Sequence, residues 1–158
     1  MIIGILSDSH DNLPKLAKAI ELFNKKKTTL VLHAGDYIAP FALGMIEKHL
    51  QCGYRGVYGN NDGERQGITA VSKGKVSSET LTLEHGGKKI FLIHDLSKAG
   101  ADVSGYDIVI SGHSHELSLT KQNRTHFINP GECGGWLCGR STVVIFDVIA
   151  DTAKAHRL

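Results

Sequence analysis

Cysteine is scarce in this sequence and forms no pattern: Cys52, Cys133 and Cys138 are an odd number among 158 residues, with no C-x-x-C spacing. A disulfide framework is therefore excluded, and free thiols of this kind belong to a reducing compartment, so the expected location is the cytoplasm. Cys133 and Cys138 have no second pair beside them to complete a thiolate metal site. Long apolar runs are also missing. No stretch approaches the ~18 consecutive apolar residues of a membrane span, so no membrane partner is expected. The opening residues 1–6 lack a basic flank, are too short for a signal peptide, and run into Asp8, His10 and Asp11. Charge of one sign is missing too. The formal net charge is +2, and apart from Lys25, Lys26 and Lys27 the basic residues are scattered. Without a basic stripe, extended nucleic-acid binding is not expected. Repeats and low-complexity tracts are absent as well, and 41% apolar residues suffice for one domain over 1–158 with an ordinary core.

What is present is a recurring unit. Residues 2–7 are a nearly continuous apolar run, as in a strand covered on both faces, and the run ends at Ser7-Asp8-Ser9-His10-Asp11-Asn12. Asn12 is a helix cap, Pro14 fits the first turn, and Leu16, Ala19, Ile20 and Phe23 recur at helical spacing. The unit repeats as a strand over 29–33 ending at Gly35-Asp36, with a helix opening at Pro40. A third strand is expected over 55–58, ending at Gly59-Asn60-Asn61-Asp62. The polar, glycine-containing residues 63–75 read as a surface loop. Beyond it, strands over 76–84 and 89–93 flank the hairpin signal Gly86-Gly87, and the second of them ends at His94-Asp95. A strand over 107–111 ends at Gly112-His113-Ser114-His115. A hairpin follows around 122–124, and a long final strand covers 141–149. Helices early and hairpins late predict a mixed α/β domain with two layers of sheet.

Five of these strands end in metal-capable residues: Asp8 and His10, Asp36, Asn60, His94, then His113 and His115. Singly, each has an ordinary reading as a turn former or a hydrogen-bonded histidine. Their recurrence after apolar runs is the signal, because sites in open α/β sheets lie outside the carboxyl ends of strands.

Asp8-Ser9-His10, Gly35-Asp36, Gly59-Asn60-Asn61-Asp62, Gly112-His113-Ser114-His115 and the turn Asn129-Pro130-Gly131 resemble, in order, the motifs of the calcineurin-like metallophosphoesterases, and among them the small prokaryotic phosphodiesterases. The resemblance implies an αββα sandwich of four layers, with two mixed β-sheets flanked by helices. It also implies a centre of two divalent metal ions: Asp8, His10, Asp36 and His115 at one, and Asp36, Asn60, His94 and His113 at the other. Asp36 would bridge, and Asp36, Asn60, Asn61 and His113 would be the catalytic group. The implied reaction is hydrolysis of a small phosphodiester by a hydroxide bridging the metals. Two aspartates supply only two negative charges, so such a centre stays cationic, attracts phosphate and acidifies bound water. Imidazole and oxygen donors without thiolate suit manganese, iron, nickel, cobalt or catalytic zinc without choosing among them, and manganese is the cofactor expected first.

Three positions depart from the family pattern. Asn61 stands where relatives carry His or Cys, and an amide is not a useful general acid. Asp95 follows His94 where Gly is usual, and Glu132 follows the N-P-G turn where Ser is common. Both carboxylates are expected to weaken the cationic field, which favours diesters over monoesters. Their plainer readings are a cap on the next turn for Asp95 and an ion pair with Arg140 for Glu132. His33 is read as a packed or supporting residue, and His49, His85, His126 and His156 as ordinary. The glycine-rich 131–139 stretch with Trp136 reads as packing or a subunit contact ahead of a stacking surface, so a homo-oligomer stays open. The rival classes are a non-catalytic scaffold of the retromer-subunit type, and a phosphomonoesterase or nuclease using the same centre.

Overall fold

A computed structural model describes residues 1–100 and 103–158. Among these, the chain runs β1 (Ile2–Leu6), α1 (Leu13–Lys25), β2 (Leu30–His33), α2 (Pro40–His49), β3 (Gly53–Gly56), α3 (Arg65–Val71), β4 (Thr80–His85), β5 (Lys88–Ile93), β6 (Ile108–Ile110), β7 (Leu117–Gln122), β8 (Thr125–Pro130), β9 (Thr142–Asp147) and β10 (Thr152–Arg157). The strands form two mixed five-stranded sheets, ordered β10-β9-β1-β2-β3 and β4-β5-β6-β8-β7. β1, β2 and β3 are parallel in the first, and β5, β6 and β8 are parallel in the second.

The central strands of each sheet are buried on both faces, which explains their continuous apolar runs. From the first sheet, Leu6, Val31, Tyr54, Val143 and Ile145 meet α1, α2 and α3 through Leu16, Phe23, Leu43, Ile46 and Ile68. Its other face sends Ile3, Ile5, Leu32, Val144 and Phe146 against Ile90, Leu92, Ile108, Ile110 and Ile128 of the second sheet. The outer face of the second sheet is covered by Leu96, Ala99, Val103 and Tyr106. The four-layer sandwich is therefore present. Among the described residues its last layer is thin, containing only a 3-10 turn over Leu96–Lys98.

Local signals behave as their chemistry requires. The Asn12 side chain accepts a hydrogen bond from the Lys15 N–H at 3.3 Å, and Pro14 lies in the first turn of α1. Gly86 and Gly87 both take positive φ, as a tight two-residue hairpin loop demands.

Four expectations shift, the simplest being the strand expected over 76–84, which is β4 over Thr80–His85. Residues 65–71 form α3 rather than loop. Its weak helix formers are held by tertiary packing: Ile68 is buried, and Gly67 lies so close to Pro40 that a Cβ would come within 2.7 Å of its ring. The third strand pairs over 53–56 rather than 55–58, since after Gly56 the chain bonds to residues 75–78 as well as β2. The final segment is two strands. Asp147 accepts the N–H groups of Ile149 and Ala150, which turns the chain into β10, an edge strand whose inward residues include Ala153 and Ala155. Alanine is too weakly apolar to have marked this strand in the sequence.

Helix α1 packs closely on the sheet at Gly4, where a Cβ would lie 2.7 Å from the Phe23 ring. Gly4→Ala should therefore cost about 1–3 kcal/mol through overpacking, read as a lower urea midpoint with unchanged slope.

Candidate metal centre

The carboxyl ends of β1, β2 and β3 in one sheet and of β5 and β6 in the other open onto one rim. There the backbone leaves ordinary conformations: Asp8, His10, Asp36, His113 and His115 have φ of 53°, 43°, 61°, 68° and 60°. Left-handed non-glycine residues are costly and persist only when their surroundings dictate them. Hydrogen bonds between loops do so here. Asp8, His10 and Asp11 donate N–H groups to the carbonyls of Gly35, Asp36 and Tyr37 at 3.0, 3.0 and 3.1 Å. Gly112 donates to His94, and Cys133 and Gly134 donate to Ser7 and Asp8, each at 2.9 Å.

Asp62 locks the remaining pair of loops. Its buried carboxylate accepts N–H bonds from Asp36 (3.0 Å), Tyr37 (2.7 Å), Ile38 (2.9 Å) and Gly59 (2.7 Å). Glycine is required where these loops touch. A Cβ on Gly59 would lie 2.0 Å from Asp36 Oδ1, and one on Gly112 would lie 1.9 Å from Ser7 Oγ.

The seven candidate ligands converge. His10 Nε2 lies 3.7 Å from both Asp8 Oδ1 and Asp36 Oδ2, His115 Nε2 lies 3.4 Å from Asp8 Oδ1, and His94 Nε2 lies 3.5 Å from Asp36 Oδ2. Asn60 Oδ1 is 2.9 Å from both His94 Nε2 and His113 Nδ1. Two groups offer donor atoms within 4.8 Å of one another: Asp8, His10 and His115, and Asp8, Asp36 and His94. Asp8 therefore stands beside both groups, whereas the family resemblance implied it at one metal alone.

These atoms fit divalent cations on their own chemistry. His94 Nδ1 lies 2.7 Å from the Ala34 carbonyl, which only accepts, so that nitrogen carries the proton and Nε2 turns its lone pair toward the rim. That lone pair faces the acceptor oxygen of Asn60, an arrangement a cation between them resolves. Asp8 Oδ1 and His10 Nε2 are buried without a hydrogen-bond partner. Burial alone would raise the Asp8 carboxyl, but His10, Ser7, His94 and His115 around it hold it below its ordinary value. His10 is pushed up by the Asp8 carboxylate, against the opposing effect of burial.

Over residues 1–151 the chain matches the model of the calcineurin-like phosphoesterase superfamily domain. The chain belongs to that superfamily. It is 37% identical over 155 residues to a phosphodiesterase of Methanocaldococcus jannaschii, covering 93% of each protein. A solved archaeal phosphodiesterase superposes with a TM-score of 0.89 at 35% identity over the full length of both chains. Vps29 of Entamoeba histolytica, at 18% identity and a TM-score of 0.71 over 100% of this chain and 98% of its own, shares the fold alone. As a calcineurin-like phosphoesterase, the protein is a hydrolase of phosphate esters.

The residues that depart from the superfamily pattern each have a definite place. Asn61 donates its backbone N–H to Asp36 Oδ1 at 2.9 Å and its side-chain amide to Asp36 Oδ2 at 2.7 Å. Asp95 caps the 3-10 turn through the Ser97 N–H and hydroxyl, and its Oδ2 faces His113 Nε2 at 3.8 Å. Glu132 does not have Arg140 as its partner. It is buried and accepts the N–H groups of Trp136, Leu137 and Cys138. Burial alone would raise its carboxyl; the Cys138 thiol and these N–H groups bring it below the ordinary range. His33 is fully buried, accepts the Gly35 N–H at Nδ1 and hydrogen-bonds Ser9 Oγ through Nε2 at 3.0 Å. The structural part of Asp62 was hidden in the sequence, where it is one letter of a motif and its four N–H partners lie on two loops.

Asp62→Ala would strand those donors, so it should lower stability by about 3–5 kcal/mol in urea unfolding, well beyond the average substitution. His33 titrates low, at about 3, because burial disfavours its charged form. Its folded value lies below the unfolded one, so the native state binds fewer protons. The stability it confers is complete above about pH 6.5 and declines as pH falls toward 3. Urea midpoints at pH 7 and pH 4.5 should therefore diverge more in the wild type than in His33→Gln.

Proposed function

We propose that this protein is a phosphodiesterase that hydrolyses small phosphate diesters at the rim between its two sheets. Two divalent cations would be held there by Asp8, His10, Asp36 and His115 and by Asp36, Asn60, His94 and His113, manganese first among candidates. The observation that carries this reading is that Asp8 Oδ1 and His10 Nε2 are buried without a hydrogen-bond partner, beside the His94 Nε2 lone pair that faces the Asn60 oxygen. Such cations, when bound, neutralise phosphoryl charge and acidify water.

The chain's own residues set the rest. In this reading Asp36, Asn60, Asn61 and His113 act at the reacting phosphate. His113 is half exposed at the mouth, with Nδ1 beside Asn60 and Nε2 toward Asp95. Asn61 directs its amide into Asp36, so it holds the bridging carboxylate and contributes no proton to a leaving group. Esters with acidic leaving groups are therefore favoured.

A cavity of about 240 Å³ adjoins the rim, lined among others by Tyr58, Asn60, His94 and Asp95. That volume suits a small ligand. Its two cations are already paired, Arg65 with Glu79 at 2.9 Å and Lys98 with Asp95 at 3.6 Å. This supports a singly charged diester over a monoester or an extended nucleic acid. Among the described residues no helix is long and apolar enough to cross a membrane, and free cysteines support a cytoplasmic location.

With Mn²⁺ supplied, purified protein should hydrolyse an activated aryl phosphodiester faster than the matching monoester, and Asp36→Ala should fall to the uncatalysed rate. Equal rates in the two proteins reject the proposal. Asn61→His should raise turnover of diesters with weakly acidic leaving groups more than that of aryl diesters, measured as the ratio of kcat/KM values.

A further inference from the structure

Glu132 is a carboxylate with no exposed surface at the edge of the metal centre. Oε1 accepts the N–H of Trp136 at 2.7 Å and Leu137 at 3.2 Å. Oε2 accepts the N–H groups of Leu137 and Cys138 and the Cys138 thiol, each at 3.1 Å. Oε2 also lies 3.5 Å from His115 Nδ1, a buried nitrogen with no hydrogen-bond partner. The opposite nitrogen of the same ring, Nε2, faces Asp8 Oδ1 at 3.4 Å. The imidazole thus stands between the candidate ligand Asp8 and a buried anion. The loop that Glu132 gathers reaches a second candidate ligand as well, because Trp136 Nε1 donates to the His10 carbonyl at 3.2 Å.

A histidine that lends Nε2 to a cation must carry its proton on Nδ1, and the acceptor facing that nitrogen decides how firmly the ring is held. Here that acceptor is Glu132. A serine, common at this position among relatives, has one oxygen to offer where the loop presents three N–H groups and His115 a fourth.

We propose that Glu132 is a positioning residue for the metal centre, fixing the tautomer and orientation of His115 and tying that ring to the 136–138 loop. This rests on the two-cation reading above. It adds a dependence specific to this chain: cation affinity and loop conformation are linked through one carboxylate, so each must change with the other.

Titration calorimetry with Zn²⁺ on protein stripped of metal tests this. Glu132→Gln should weaken one of two binding steps by about 10–100-fold, the loss usual for an outer partner of a metal ligand. The same substitution in a His115→Ala background should weaken it no further, since Glu132 acts through that ring. Emission from Trp136, the sole tryptophan, should respond to Zn²⁺ in the wild type and respond less in Glu132→Gln. Equal Zn²⁺ affinity in wild type and Glu132→Gln overturns the proposal, whereas a wild type that takes up no Zn²⁺ overturns the phosphodiesterase reading instead. If Glu132→Gln does not fold, nitrogen NMR of ¹⁵N-histidine-labelled, Zn²⁺-loaded wild type decides the matter. His115 should show a metal-bound Nε2 and a slowly exchanging Nδ1 proton, and either a metal-bound Nδ1 or an Nδ1 proton in fast exchange with water refutes the role.

Discussion

Two carboxylates, Asp8 and Asp36, are buried side by side at the ends of adjacent parallel strands, and the architecture of the rim follows from keeping both there. Removing an ion from water costs several kcal/mol even after relaxation. Compensation must come from groups that reach the same point. Asp36 receives the backbone and side-chain N–H groups of Asn61, with His10 and His94 beside it. Asp8 receives the His113 N–H at 3.2 Å and faces His10 and His115. These partners come from the end of β1 itself and from three further strand ends, those of β3, β5 and β6, so the loops must crowd together. Crowding in turn explains the left-handed residues, the loop-to-loop backbone bonds and the glycines whose Cβ would strike a ligand. Even so, Asp8 Oδ1 is left without a partner, and the protein's own groups leave negative charge for a cation to complete.

The rim was legible in the sequence because its demands are local. An apolar run must end where an acid begins, and a glycine must stand where two loops touch, so Asp8, Asp36, Gly59 and Gly112 mark themselves. The helices α1 and α2 were legible for a similar reason, with a cap or a proline at one end and apolar spacing within. What escaped depends on partners distant in sequence. α3 has a glycine at its centre and forms because Ile68 and the face beside Pro40 are covered. β10 exposes Thr152 and Lys154 and turns only alanines inward, so its pattern is faint, and the Asp147 turn that folds it back was read as strand. Asp62 and Glu132 have no periodic or spacing signal that separates a buried acceptor of several N–H groups from an ordinary acid.

Glu132 and Asp95 show how far apart two similar sequence features can be in space. Both were expected to reduce the positive field of the centre. The charge of Glu132 is spread over three backbone N–H groups and a thiol, with the His115 ring 3.5 Å away, and such donors hold a buried carboxylate ionised. Asp95 is different. Its Oδ1 is taken by Ser97, while Oδ2, paired at 3.6 Å with the exposed Lys98, faces His113 and lines the cavity beside the centre.

The selectivity expected of the site therefore rests on Asp95 more than on the sum of two acids. In the proposed centre, two divalent cations against Asp8 and Asp36 would leave two positive charges before substrate arrives. A phosphodiester brings one negative charge and a phosphomonoester close to two, so both are attracted to the cations themselves. They differ at the mouth. An additional anionic oxygen turned toward the cavity would face Asp95 Oδ2, which lines it, and like charges repel more strongly near protein than in bulk water. An ester arm carries no such charge and meets only hydrogen-bonding surface. In the proposed phosphodiesterase, the carboxylate that caps a 3-10 turn would thus also distinguish an esterified phosphoryl oxygen from a free one.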